Sequence, residues 1–176
     1  MQINQVKQTI LKDFPQEIAA LAQVTGELLE KKGLTVSTAE SCTGGLISAA
    51  LTSVAGSSAY YWGSVIAYDN KVKNKLLAVP QDVLQTKGAV SPEVAEFLAL
   101  GIRNLIGTSV GIGVTGIAGP GGGTLEKPVG LVYIALNSDQ VNWCQAYNFS
   151  GGRFEVRMSC VKVALELLRK YALEQE

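Results

Sequence analysis

The chain contains no histidine. That absence removes the Ser-His-Asp and Cys-His catalytic arrangements, histidine-ligated zinc and the H-E-x-x-H metalloprotease helix, so any acyl transfer here needs another base. Cysteine is scarce as well. Cys42, Cys144 and Cys160 are odd in number and have no C-x-x-C spacing, which favours structural thiols over a disulfide framework, a zinc site or a redox motif. Neither sign of charge is in excess: 15 basic residues balance 15 acidic ones, and nucleic acid is not an expected partner. No apolar run reaches membrane-spanning length, and the opening MQINQVKQTILKDFPQEI lacks the apolar core and small-residue cleavage site of a secretory signal. A soluble cytoplasmic protein without a membrane partner is expected.

Hydrophobic residues make up 47% of the 176, enough to bury one core, so a single domain over residues 16–176 is expected, with residues 1–15 as an arm or extra helix. After Pro15, Ile18, Leu21, Ala22, Leu28 and Leu29 recur at helical spacing until Gly33. LTVSTA, residues 34–39, reads as a buried strand, followed by a helix with Leu46, Ile47, Ala50 and Leu51 on one face. SVIAY, residues 64–68, reads as a second strand, with Asp69 or Asn70 capping the helix that carries Val72, Leu76 and Leu77. Ser91-Pro92-Glu93 starts another helix, running to about Ile106. SVGIGVTG, residues 109–116, is a third strand. LVYIALN and VNWCQAYNF form a hairpin around Ser138-Asp139-Gln140, and a final helix covers about Arg153 to Tyr171. Strands separated by helices, then a hairpin, predict an α/β fold with a mixed, mostly parallel sheet and helices on both faces. In such sheets ligands collect beyond the carboxyl ends of strands, where the segments beginning at Ala39, Tyr68 and Thr115 converge.

The first of these segments, TAESCTGG, puts Ser41 at or just before a helix start, where backbone N–H groups of Cys42, Thr43, Gly44 and Gly45 can receive an oxyanion. Capping of the helix by Ser41 or Thr43 is the plain alternative. A serine nucleophile needs a base, and without histidine a lysine of lowered pKa is the candidate. In YDNKVKNKLL, at 100° per residue, Lys73 falls in the arc between Leu76 and Leu77, whereas Lys71 and Lys75 point away. Burial, the positive helix end and neighbouring ammonium groups would each favour its neutral form. Tyr68 is positioned to donate to Ser41, Lys73 or substrate, or simply to pack. Cys42 is the rival nucleophile, ranked below Ser41.

Two further stretches suit an anion. GVTGIAGPGGGTLEK lacks P-loop spacing, yet Thr115, Gly116, Gly119, Gly121 and Gly122 can bring backbone amides around a phosphate or flat ring. In NFSGGRFEVR, Arg153 opens the last helix after two glycines, with Arg157 one turn on, a combination that can hold a phosphate.

Read together, TAESCTGG, AGSSAYYWG, AYDNKVK, GAVSPEVA, GVTGIAGPGGG, EKPVG and FSGGR, in that order over about residues 16–172, resemble the CinA C-terminal domain family. The resemblance implies a three-layer α/β/α sandwich and a nicotinamide-nucleotide amidohydrolase: nicotinamide mononucleotide is converted to nicotinate mononucleotide and ammonia, in pyridine-nucleotide salvage, without metal or cofactor. The family's serine falls on Ser41, its lysine, in a Tyr-x-Asn-x-x-Lys context, on Lys73, its tyrosine on Tyr68, and its arginine on Arg153. Gly151-Gly152 stands where many relatives have Gly-Asp, so the phosphate contacts are the least transferable. Many relatives carry an additional nucleotide-processing domain, and a stand-alone form is expected here, as a homo-oligomer with a dimer favoured. The competing expectation is a non-catalytic nucleotide-sensing or competence-related module on the same fold.

Overall fold

The computed structural model describes residues 14–175. The arm expected over residues 1–15 therefore lies almost wholly outside the described residues. The elements are α1 (Gln16–Lys31), β1 (Val36–Glu40), α2 (Leu46–Thr52), β2 (Tyr61–Ile66), α3 (Asn70–Leu77), α4 (Gln81–Thr86), α5 (Pro92–Ile106), β3 (Val110–Gly116), β4 (Leu131–Asn137), β5 (Asn142–Asn148) and α6 (Arg153–Leu173).

The sheet order is β2-β1-β3-β4-β5. β1 runs parallel to both β2 and β3, and the β3–β4 and β4–β5 pairings are antiparallel, so the sheet is mixed in equal parts. Alternation along each strand sorts side chains to two helical layers. Val36 of β1, Val110, Ile112 and Val114 of β3, and Val132, Ile134 and Leu136 of β4 pack with α1, α2 and α6. On the opposite face Ala39 joins Leu77 of α3 and Val94, Leu98 and Ile102 of α5. Each fully buried leucine or isoleucine in these layers contributes roughly 1.5–3 kcal/mol over its exposed state.

The alternation in β3, VGIGVTG, has a sharper cause. A Cβ on Gly111 would come within 2.1 Å of the Ala99 carbonyl oxygen, and one on Gly113 within 2.3 Å of that of Ala95. Bare backbone on this face lets α5 lie directly on the strand while the valines and isoleucine fill the other layer. Capping follows local chemistry: Asp69 accepts from the Lys71 amide at α3, and Ser91 from the Val94 amide at α5. The hairpin turn is held by Ser138 Oγ, which accepts from the amides of Gln140 and Val141.

Boundaries move where tertiary pairing decides them. β1 starts at Val36 and runs through Glu40, and β2 spans Tyr61–Ile66, with a register shift opposite Val36/Ser37. Tyr68 thus lies in the β2–α3 connection, not in the strand. The helix after β1 starts only at Leu46, leaving Ser41–Gly45 as a turn. α4 is an element that the apolar spacing does not announce.

Candidate active site

Five segments meet around a cavity of about 280 Å³: the turn after β1, the connection after β2 with the start of α3, the glycine loop after β3, the start of α6, and Ala89–Val90 before α5. The first three leave the carboxyl ends of the parallel strands, as the topology requires. Ser41, Cys42, Tyr68, Lys73, Thr115 and Arg153 all line it, as do Gly116, Gly119, Gly121 and Gly122. Thr43, Gly44 and Gly45 do not.

The turn carrying Ser41 is pinned at several atoms. The Ser41 amide donates to the Val114 carbonyl on β3 at 3.0 Å, and the Gly44 amide returns to the Ser41 carbonyl at 3.2 Å. Gly44 and Gly45 sit at φ +59° and +94°, backbone that glycine adopts without strain. The expected oxyanion donors divide here. The Gly45 amide, with those of Ile47 and Ser48, is taken by the carboxylate of Glu40, and the Gly44 amide is spent inside the turn. That corrects the expectation for Gly44 and Gly45; among the described residues the amides of Cys42 and Thr43 donate to no carbonyl and to no other side chain, the Cys42 amide facing its own thiol, and of the two only Cys42 lines the cavity. Nor does Ser41 or Thr43 cap α2, whose N-cap is Gly45 with no side-chain bond.

Lys73 is 1% exposed, whereas Lys71 and Lys75 face solvent, as the helical angles require. Its Nζ donates to the carbonyls of Ala67 at 2.7 Å and Tyr68 at 3.0 Å. Burial pushes its pKa below the ordinary 10.5, opposed by the charges of Asp69 and Cys42. The expected help from neighbouring ammonium groups plays no part, because those amines point outward. A neutral amine has two N–H groups and one lone pair. With both N–H groups held by carbonyls, the lone pair is the remaining hydrogen-bonding capacity. No hydrogen bond joins Ser41 and Lys73 among the described residues.

Tyr68 lines the cavity without a hydrogen bond from its hydroxyl to Ser41 or Lys73 among the described residues. Its carbonyl holds Lys73, while its hydroxyl accepts from Arg153 Nη2 at 3.3 Å. Arg153 Nη1 donates to the Gly119 carbonyl at 2.9 Å, so the guanidinium bridges two walls of the cavity. Thr115 Oγ1 donates to the Ala89 carbonyl at 2.7 Å, which fixes the wall and leaves no free hydroxyl proton for a ligand. Cys42 is buried beside Cys160: a hydrogen bond from the Cys160 thiol and the nearby Arg157 charge favour its thiolate, against burial, and the Cys160 thiol is pushed far up.

Residues 18–172 match the CinA C-terminal domain family. The chain belongs to that family. A CinA-like protein of Desulfotalea psychrophila is 49% identical over 154 residues, covering 88% of this chain and 37% of that relative. The chain spans about two fifths of the length of the curated relatives it matches. The crystal structure of the competence/damage inducible protein CihA from Agrobacterium tumefaciens superposes with a TM-score of 0.88 at 43% identity, over 92% of this chain and 98% of that one. The competence damage-inducible protein A from Klebsiella pneumoniae gives 0.86 at 31% identity, over 90% and 99%.

Three residues of this CinA-family domain escape a reading of its sequence. Glu40 is one. Arg157, expected beside Arg153 at a phosphate, instead donates from Nη2 to the Thr43 carbonyl at 2.7 Å and props the turn from below. Lys127 donates to the carbonyls of Lys87 and Val90 and fastens the glycine loop to the opposite wall. No helix among the described residues is long and apolar enough to cross a membrane.

Proposed function

We propose that this domain hydrolyses the carboxamide of nicotinamide mononucleotide, giving nicotinate mononucleotide and ammonia. The observation that carries the reading is a buried lysine, its amine held by two carbonyls, sharing a cavity with a serine in a chain without histidine. Lys73 takes the Ser41 proton as Ser41 Oγ attacks the carboxamide carbon, and the amide of Cys42, on the cavity wall, receives the charge on the carbonyl oxygen. The C–N bond then breaks, Lys73 returns the proton to the departing nitrogen, and ammonia leaves an acyl ester on Ser41. Water, deprotonated by the same amine, hydrolyses that ester and restores the serine. Arg153 keeps donors beyond its two protein bonds and would bind the nucleotide phosphate at the cavity mouth, with the glycine loop along the ribose.

A second reading is a nucleotide-sensing module that binds without turnover. It is favoured by the lack of a hydrogen bond between Ser41 and Lys73, although such bonds often tighten only when substrate is bound. One experiment separates them. Wild type and Ser41→Ala are incubated with nicotinamide mononucleotide, nicotinamide and a simple aryl ester, and ammonia and nicotinate mononucleotide are measured, with nucleotide binding followed by calorimetry. Ammonia from the nucleotide with wild type alone, and binding retained in the variant, supports the hydrolase. Binding without ammonia in either protein supports the module.

A further inference from the structure

Glu40 ends β1 and is fully buried. Its Oε2 accepts from the amides of Gly45 at 2.9 Å and Ile47 at 3.1 Å, and its Oε1 from the amide and hydroxyl of Ser48 at 2.8 and 2.6 Å. Thr38 Oγ1 also points at Oε1, at 3.4 Å. The three amides and the Ser48 hydroxyl all donate to it, so both carboxylate oxygens are engaged. No lysine or arginine forms an ion pair with Glu40 among the described residues, so backbone and hydroxyl dipoles compensate the buried charge. The Ser48 hydroxyl that donates to Glu40 accepts in turn from Tyr61 at 2.7 Å, so its direction is fixed.

The usual way to close a helix start is a short polar side chain at the N-cap. Here that position is Gly45, at positive φ, and the acceptor comes from the strand across the turn. The carboxylate therefore ties the Gly45 end of Ser41–Gly45 back to the strand from which the turn departs, while the Val114 carbonyl holds the Ser41 amide at its start and Arg157 the Thr43 carbonyl at its middle. It also sorts the turn's amides. Gly45 is drawn inward to Glu40 and Gly44 to Ser41, while Cys42 stays on the cavity wall with its amide given to no carbonyl.

We propose that Glu40 is a positioning residue for acyl transfer at Ser41: by taking the amides of Gly45, Ile47 and Ser48, its carboxylate fixes the turn so that the Ser41 hydroxyl and the Cys42 amide, both on the cavity wall, meet the reacting carbonyl and its developing oxyanion. This rests on the hydrolase reading of the same site. Glu40→Gln keeps the shape but substitutes an NH2 donor for one oxygen that now accepts two donors. Glu40→Asp keeps the charge but withdraws both oxygens by about one bond length, ~1.5 Å.

With nicotinamide mononucleotide, Glu40→Gln lowers kcat about a hundredfold, the scale of losing an oxyanion donor, with KM within about threefold, and Glu40→Asp falls between it and wild type. Hydrogen exchange quickens at Gly45, Ile47 and Ser48 and stays at wild-type rates in α5. Wild-type kcat in Glu40→Gln alongside quickened exchange at those amides overturns the proposal. So does a loss of activity that only tracks the fraction unfolded, read by circular dichroism in both variants. If the wild type releases no ammonia from the nucleotide, the substrate assignment fails, and Glu40 is read from phosphonylation of Ser41 by a fluorophosphonate. That reaction joins Ser41 Oγ to phosphorus, expels fluoride and draws on the same oxyanion donor. Slower labelling in Glu40→Gln supports the proposal; labelling at the wild-type rate, or no labelling of wild type, overturns it.

Discussion

Lys73→Met tests the base while keeping a buried stem of similar length. General-base catalysis is worth about 10²–10⁴ in rate, so kcat/KM for nicotinamide mononucleotide falls by that factor, or about 3–5 kcal/mol of barrier. The pH profile is the more specific readout. Burial holds the Lys73 pKa below 10.5, so wild-type activity rises through a limb with its midpoint below that value, and the variant lacks the limb. Stability moves with it. In the window between the lowered folded pKa and 10.5 the unfolded chain binds the proton that the folded chain has released. The wild type therefore gains stability as pH rises, at up to about 1.36 kcal/mol per pH unit, and the variant does not share that gain. Against it, Lys73→Met strips the donor from the buried Ala67 carbonyl, costing about 1–3 kcal/mol. The variant is thus least stable relative to wild type at alkaline pH, and the difference narrows or reverses towards neutrality. Rate profiles and denaturant melts across the neutral-to-alkaline range measure both. An alkaline limb that survives in Lys73→Met, or a loss smaller than about tenfold, refutes the assignment of Lys73 as base.

Three other changes have defined outcomes. Cys42→Ala leaves kcat within about threefold of wild type if, as proposed, Ser41 and not this thiol is the nucleophile; a loss as large as that of Ser41→Ala in the ammonia assay reverses their roles. Arg153→Gln raises KM for nicotinamide mononucleotide by about tenfold to about a hundredfold, the scale of one charged hydrogen-bond set, and barely changes turnover of the dephosphorylated nucleoside. An equal effect on both substrates would remove the phosphate from that arginine. Gly113→Ala pushes a methyl towards the Ala95 carbonyl oxygen, 2.3 Å from the Cβ position, and destabilises the fold by about 1–3 kcal/mol or more in a denaturant melt. An unchanged midpoint would mean that α5 does not pack on β3 as closely as described.

What the sequence reveals of this site depends on whether a residue's role is set by its own element or by a neighbour. Lys73 faces inward because its position on α3 relative to Leu76 and Leu77 fixes its azimuth, which spacing alone specifies. Ser41, Tyr68 and Thr115 meet because parallel strands end on one side, which order along the chain specifies. Glu40, Arg157 and Lys127 act on backbone atoms 5 to 114 residues away, and no periodicity encodes which carbonyl or amide a long side chain will find. The alternating glycines of β3 were open to view, but their reason was not, since it lies in the approach of α5.

The same distinction explains how a chain without histidine can assemble a base. An imidazole arrives with a pKa near neutrality and needs a partner mainly for orientation. A lysine has to be lowered by surroundings, and burial is the largest lowering influence on Lys73. Burial without partners would be costly for the amine, so Ala67 and Tyr68 supply carbonyls from the same connection that leads into α3. Fixing those carbonyls requires the end of β2 to be held, and the Ala67 amide donates to the Glu40 carbonyl at 2.8 Å. Glu40 therefore ties the two halves of the site through its backbone while its side chain shapes the turn of Ser41. A substitution of the Glu40 side chain leaves that backbone bond in place, so its effect is expected at the turn of Ser41 and not at the Lys73 carbonyls.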